Sequence, residues 1–431
     1  MTRLLVVADS DSYAKWGAAL ASRVPDGWAS ELVVLRTPVE PSARQLRAAL
    51  AGSVFAPESV RSLGLDELVR RIEASRPDVV LLSLRGPLVR VVAPLLGGGE
   101  RRPVLVSGMP GLTIPAEPKA IVYREQVDLI VLHSRREVRE FTANAGALGV
   151  PMAFGLSTLP FLPEPRASQG ADDAAPPSEL VFAAQAKVPA EREERVRMLA
   201  ALADAARRRP ERRVVVKVRA RRGEAQTHAE AFDYAELLED AEVRRSIGGV
   251  PPNLVVEDGP MGEQLRRAGL LVTVSSTAVL EAIASGVPAV AVDDFAVGPK
   301  LINTVFEGSG LFGGVDDVAA WAGRLPDRAW LADNYFHGRD ADDWTDGLAG
   351  LLERRAAGPF PLPVRRHNLS GGALRRAFER KRMLGEFDRS ALGAVSVLVA
   401  IPARWVVRRL RRTAALLREA RTRASAGSPA S

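Results

Sequence analysis

The 431-residue chain contains no cysteine. That excludes disulfides, a thiolate nucleophile and any zinc site built on sulfur. Histidine is nearly as scarce: His133, His228, His337 and His367 are too widely spaced for a metal-ligand pattern, and no metal is expected. No P-loop pattern occurs, and the single G-x-G-x-x-G, GSGLFG at 308–313, does not follow an apolar strand run, which argues against an ordinary kinase and a dinucleotide oxidoreductase. Lysine supplies only 6 of the 59 basic residues. Aromatic residues are 5% of the chain and sparse near the arginines, so no specific nucleic-acid partner is expected. The first residues lack the positive and apolar regions of an export signal, and a cytoplasmic location is the expectation.

What is present is unevenly distributed. The net charge is +7, yet residues 351–431 carry 18 Arg or Lys against 5 Asp or Glu, a net +13, leaving −6 for residues 1–350. The basic character therefore belongs to the end of the chain. There ALGAVSVLVAIPA (391–403) adjoins Arg404, Trp405, Arg408, Arg409, Arg411 and Arg412. Those 13 residues are too few to cross about 30 Å of hydrocarbon as a helix. Three readings stand: a helix lying peripherally on an anionic membrane surface, on the inner face of the plasma membrane; a C-terminal helix packing on the rest of the protein; or contact with a partner protein or nucleic acid.

Before that tail the chain alternates apolar runs with helical segments. LLVVA (4–8), ELVVL (31–35), DVVLLSL (78–84), PVLVSG (103–108) and DLIVLHS (128–134) read as parallel strands covered on both faces, with helices at 13–23, 66–75 and 135–147. A stretch rich in Pro, Ala and charge, 161–178, reads as a linker. The alternation restarts at LVFAAQ (180–185), followed by a charged helix at 191–208 and strands at 213–218, 253–257, 270–274 and 288–292. The predicted fold class is α/β: two Rossmann-like domains, 1–160 and 179–350, facing a cleft, then a basic helical tail, 351–431.

Open α/β sheets bind ligands outside the carboxyl ends of their strands, so strand ends are where chemistry is sought. In GLLVTVSSTAVLEAIASGVPAVAV (269–292), Ser275, Ser276 and Thr277 stand where a strand meets a helix, and Glu281 follows one turn later. Such hydroxyls either cap the helix or receive an anion. In VVVKVRARRGEAQTHAE (214–230), Lys217 and Arg219 share one side of a strand end, and His228 follows in the loop. A buried-strand lysine needs a counter-charge, so Lys217 reads as half of a salt bridge or as a phosphate-facing cation. His228 reads as a diphosphate contact or a surface histidine. Glu257 and Asp258 end a further strand and are placed to border a base or ribose. At the end of the first strand, ADSDSYAKW (8–16) brings Asp9 and Asp11, either a polar helix cap or a ligand-facing carboxylate. Arg85, Met109–Pro110–Gly111 and His133 close other strands of the first half.

The 269–292 passage resembles the donor segment of two-domain glycosyltransferases of the GT-B type. That resemblance implies that Ser275, Ser276 and Thr277 hold the diphosphate of a nucleotide-sugar, with Glu281 near the sugar or ribose. Together with ADSDSYAKW (8–16), SGMPGLTIPAEPKAIVYREQVDLIVLHSRREVREF (107–141) and KVRARRGEAQTHAE (217–230), it resembles an actinobacterial glycosyltransferase family classed as a domain of unknown function. The resemblance covers about residues 1–350. It implies a nucleotide-diphosphate sugar as donor substrate, no cofactor, and transfer of the sugar. A wider similarity to capsule-type and glycerophosphate-type transferases implies a cell-envelope acceptor, lipid-linked or polymeric, although their His-Pro pair after the lysine strand is missing.

An inverting transfer needs a base for the acceptor hydroxyl and charge stabilisation on the departing diphosphate. Asp11 is the first choice of base and His133 the second, both from the first domain. Lys217, Arg219, His228 and the helix start at Ser276 are expected on the diphosphate. Two other readings compete: a nucleotide-sugar epimerase or hydrolase of the same build, and a non-catalytic envelope-associated binding protein.

Overall fold

Runs such as LLVVA and VVLLS offer no polar face, so the strands they form must be covered on both sides. The computed structural model, which describes residues 1–99, 102–160, 162, 178–218 and 231–398, meets that demand twice. The first sheet is built from β1 (Arg3–Ala8), β2 (Ala29–Leu35), β3 (Arg61–Leu63), β4 (Val79–Ser83), β5 (Val104–Gly108), β6 (Leu129–Leu132) and β7 (Ala153–Leu156). Its spatial order is β3-β2-β1-β4-β5-β6-β7, parallel throughout. The second contains β8 (Glu179–Ala183), β9 (Val214–Lys217), β10 (Leu254–Glu257), β11 (Ala268–Thr273), β12 (Ala289–Val292) and β13 (Phe312–Gly313). It runs β10-β9-β8-β11-β12-β13, again parallel.

Two Rossmann-like α/β domains therefore face a cleft, as the strand–helix alternation implies. Each order reverses once beside its first strand, between β1 and β4 and between β8 and β11. At such a reversal the helices leave on opposite faces and a crevice opens beyond the strand ends. The expected strands are all present. β3, β7 and β13 come in addition to these; all three are edge strands of two to four residues, too short to carry an apolar run.

Helices form where their ends are signalled. Arg135–Leu148 starts at Ser134, whose Oγ accepts from the Glu137 N–H at 3.0 Å, and stops at Gly149 with φ 64°. Asp11–Ala21 lays Trp16 across β5 so closely that a Cβ on Gly108 would come within 2.4 Å of the indole.

The helix Trp344–Ala357 follows the second sheet in sequence yet packs on the first. Trp344, Leu348 and Leu351 join Leu4, Val6, Val79 and Leu81 in one core. Polar ties fix it there: Asp343 accepts from the Leu156 N–H at 2.6 Å, and Arg355 reaches Asp78 at 3.1 Å and the Arg102 carbonyl at 2.8 Å. Arg102, nearly fully buried, holds Asp128 in a two-point bridge and donates to the Pro361 carbonyl.

Among the described residues, 36–38 and 365–398 form a separate compact unit. Its helix Gly372–Leu384 is followed by a helical stretch at 391–398, and buried Asp388 collects Arg380, the Ser390 N–H and, through its carbonyl, Lys381. Of the basic segment 391–412, residues 399–412 lie outside the described part. No helix among the described residues is long and apolar enough to cross a membrane.

The close approach of β7 to the returning helix makes a prediction. A Cβ at Gly155 would meet the Trp344 Cα at 2.7 Å, a backbone atom that cannot swing aside. Gly155→Ala should lower unfolding free energy by about 1–3 kcal/mol, measured by denaturant titration.

Candidate active site at the interdomain cleft

The helices that follow the two central strands bring their first turns to the cleft. On the first domain, Asp11 opens the helix after β1, with Lys15 one turn further and therefore on the same face. On the second, Thr277 precedes Ala278–Ala284, and Glu281 lies one turn beyond it. Lys15 Nζ stands 3.7 Å from Glu281 Oε1, across the cleft. A Cβ on Gly111, in the loop after β5, would touch the Thr277 methyl at 3.6 Å. The first-domain loops and the Ser275–Thr277 loop are thus neighbours.

Glu281 is the electrostatic centre of this region. Burial raises its pKa, opposed by the charges of Lys15 and Lys217. Lys217 is itself 8% exposed, at the end of β9. Two of six lysines, in a chain that otherwise uses arginine, converge on one carboxylate. Glu281 supplies the counter-charge that a buried lysine such as Lys217 needs.

Of the three hydroxyls in the second-domain loop, two are used internally. Ser275 donates its N–H to Gln185 Oε1 at 2.9 Å, and its Oγ lies 3.1 Å from Gln185 Nε2. Ser276 donates its N–H to Thr273 Oγ1 at 3.0 Å while its Oγ accepts from the Ala278 N–H. The Thr277 hydroxyl has no hydrogen bond among the described residues, and it is Thr277 that faces the first domain. Gln185, just beyond β8, is the residue that shapes this loop, and nothing in its sequence context marks it.

Glu257 is placed differently. Gln264 and the guanidinium groups of Arg213 and Arg267 hold its carboxyl below the usual range, and the same arginines bind Glu179. It belongs to an ion-pair network along the sheet. Asp258 instead lies 3.9 Å from Arg44 of the first domain. Arg219 and His228 lie outside the described residues. Among the described residues no group of three or more His, Asp or Glu side chains could hold a metal ion. Asp294, beside Asp293 after β12, accepts from the Val315 N–H at 2.6 Å at the start of the helix Val315–Ala320.

His133 sits at the end of β6 and is 1% exposed. Its Nε2 accepts from the Trp16 indole N–H at 2.7 Å, which leaves the proton on Nδ1, donated to the Ser157 carbonyl at 2.9 Å. Burial holds its pKa down to about 4. Both nitrogens are therefore committed, and the group is neutral at physiological pH. Beside it, Glu137 is fully buried and accepts from Thr113 Oγ1 (2.5 Å), the Tyr335 hydroxyl (2.6 Å) and the His133 N–H (2.8 Å). Arg139 and Asp333 make a two-point bridge nearby. Tyr335 and Asp333 belong to the segment that returns the chain to the first domain.

A model of the family described as "Putative glycosyltransferase (DUF6716)" matches residues 4–351. The chain belongs to this family. Among solved structures, a co-structure of S. aureus MnaA with UDP is similar with a TM-score of 0.50 and 12% identity, over 83% of this chain and 97% of that one. The UDP-GlcNAc 2-epimerase from Methanocaldococcus jannaschii gives 0.52 and 10%, over 82% and 100%. At such identities the likeness is one of fold. No curated sequence matches the chain.

A neutral buried histidine titrates only when the chain unfolds. With its pKa depressed in the fold, His133 contributes stability that is fully present above about pH 6.5 and is lost as pH falls towards 4. The loss should reach about 3 kcal/mol. His133→Gln should start from a lower stability but lack this component, which denaturant unfolding of both proteins between pH 7 and 4 will measure.

Proposed function

We propose that the chain transfers a sugar from a nucleotide-diphosphate sugar to a lipid-linked or polymeric acceptor of the cell envelope. The observation that carries the reading is the meeting of Lys15 and Lys217 on Glu281 beside Thr277, across the cleft from Asp11. In this reading Lys217 and Thr277 take the diphosphate, with Ser275 and Ser276 holding the loop behind them. Arg219 and His228 are assigned to the same anion and Glu281 to the sugar or ribose, while Glu257 remains near the base only through its strand. Residues 1–160 would serve the acceptor and 179–350 the donor.

Asp11 removes the acceptor proton as the hydroxyl oxygen bonds to the anomeric carbon, and the bond from that carbon to the diphosphate oxygen breaks. The departing charge passes to Lys217. His133, committed through both nitrogens, supports Trp16 and the helix that carries Asp11. No metal takes part.

Calorimetry against a panel of nucleoside diphosphates and nucleotide-sugars tests the class. Lys217→Ala should weaken diphosphate binding by about 1–3 kcal/mol. Asp11→Asn should leave binding intact and lower turnover by about 10²–10⁴-fold. Binding by no member of the panel would overturn the proposal, and a change in the sugar without any acceptor would turn it into an epimerase or hydrolase.

The same reading sets the chain at the inner face of an anionic membrane through 391–412. In the described part of that segment Leu392, Val395 and Leu398, three or six residues apart, are 46%, 49% and 75% exposed. Full-length protein should float with anionic vesicles at low salt and be released at high salt, whereas a chain ending near 385 should not float. Equal flotation of both would remove the tail from the account.

A further inference from the structure

Two buried polar atoms at the carboxyl ends of the neighbouring strands β1 and β4 have no hydrogen-bond partner: the Ser10 hydroxyl and Nη2 of Arg85. Ser10 is 1% exposed and precedes the helix Asp11–Ala21, yet its side chain makes no capping bond. Arg85 gives its backbone N–H and its Nε to the Asp9 carboxylate, at 3.2 and 2.5 Å, which lays its side chain over the residue next to Ser10. Leaving a buried donor unpaired costs about 1–3 kcal/mol, and folded proteins leave few of them so. Here two occur together, at the point of the first sheet where the strand order reverses. Charge points the same way. Arg124, 2% exposed and bonded to Ser107 and Gly108, also interacts with Asp9, so two cations face one buried carboxylate.

We infer that the ends of β1 and β4 form an anion subsite, made by Ser10 and Arg85, that takes a phosphate group of the acceptor. The inference rests on the glycosyltransferase reading, in which the donor diphosphate occupies the opposite domain. A phosphate offers several charged oxygens at once, so it can accept from donors on two strand ends in charge-assisted bonds, stronger than those to a neutral hydroxyl. Asp11 is the residue after Ser10, so a phosphate held here would bring a hydroxyl of the same molecule to the base. A lipid-linked phosphate and a soluble polyol phosphate share this chemistry.

Calorimetry of the full chain with inorganic phosphate, in an excess of UDP, GDP, ADP and dTDP together, tests the subsite. Phosphate should bind alongside the nucleotides. Ser10→Ala should weaken it about tenfold while the melting temperature holds or rises, because an unsatisfied hydroxyl has been removed. Arg85→Lys keeps a cation for Asp9 and should weaken phosphate further, through loss of the planar fork. Competition between phosphate and the nucleotides would overturn the inference, as would a Ser10→Ala protein that melts earlier and binds phosphate normally. If no nucleotide binds but Ser10→Ala still loses phosphate, the donor assignment falls and the subsite stands. Glycerol 3-phosphate against phosphatidic acid in micelles separates the sources: tighter binding of the second assigns a lipid acceptor, equal binding a soluble one.

Discussion

A carboxylate taken out of water must be met by donors on every side, and Glu137 is such a group. Its two oxygens accept from the loop after β5, from the end of β6 and from Tyr335 on the segment that leaves the second domain. The position of the His133 backbone follows from that anchor, and the imidazole then fixes Trp16, which holds the helix carrying Asp11 and Lys15. The first-domain wall of the cleft is therefore set by a chain of contacts that begins at one buried charge. Burial raises the Glu137 and Tyr335 pKa values together, so the hydroxyl remains a donor across the physiological range.

The two domains use the same strand order for different chemistry. At the reversal in the first sheet the strand ends carry the buried Asp9 and Ser10 and the partly buried Arg85. At the reversal in the second they carry hydroxyls, Gln185 and, one strand away, Lys217. A compact ammonium on a flexible stem can follow an anion as it changes shape, whereas a guanidinium fork holds one geometry.

The fold was legible because parallel strands, covered on both faces, have apolar centres, and 4–8, 79–82, 214–216 and 270–272 all do. The short edge strands β3, β7 and β13 escape the same test, since an edge needs only a few residues and one neighbour. The Ser275–Thr277 loop was legible as a strand–helix junction. Its internal use of Ser275 and Ser276 was not, because Gln185 lies 90 positions away. His133 shows the same limit: a histidine at a strand end suits a base until Trp16 and Ser157, distant in sequence, are seen to take both nitrogens. Lys15 had a faint signal in the rarity of lysine, but its partner Glu281 is visible only in three dimensions. Glu137 and Tyr335, 198 positions apart, had none.

The return of Trp344–Ala357 to the first sheet means that the second domain is threaded through the first as an insertion, entered after β7 and left before Trp344. The first core is assembled from sequence on both sides of it. A single break in the chain between β7 and β8 would yield two fragments, neither of which holds a complete first core. The fragments should stay associated, because separating them exposes the apolar faces of Trp344, Leu348 and Leu351 together with the sheet that covers them.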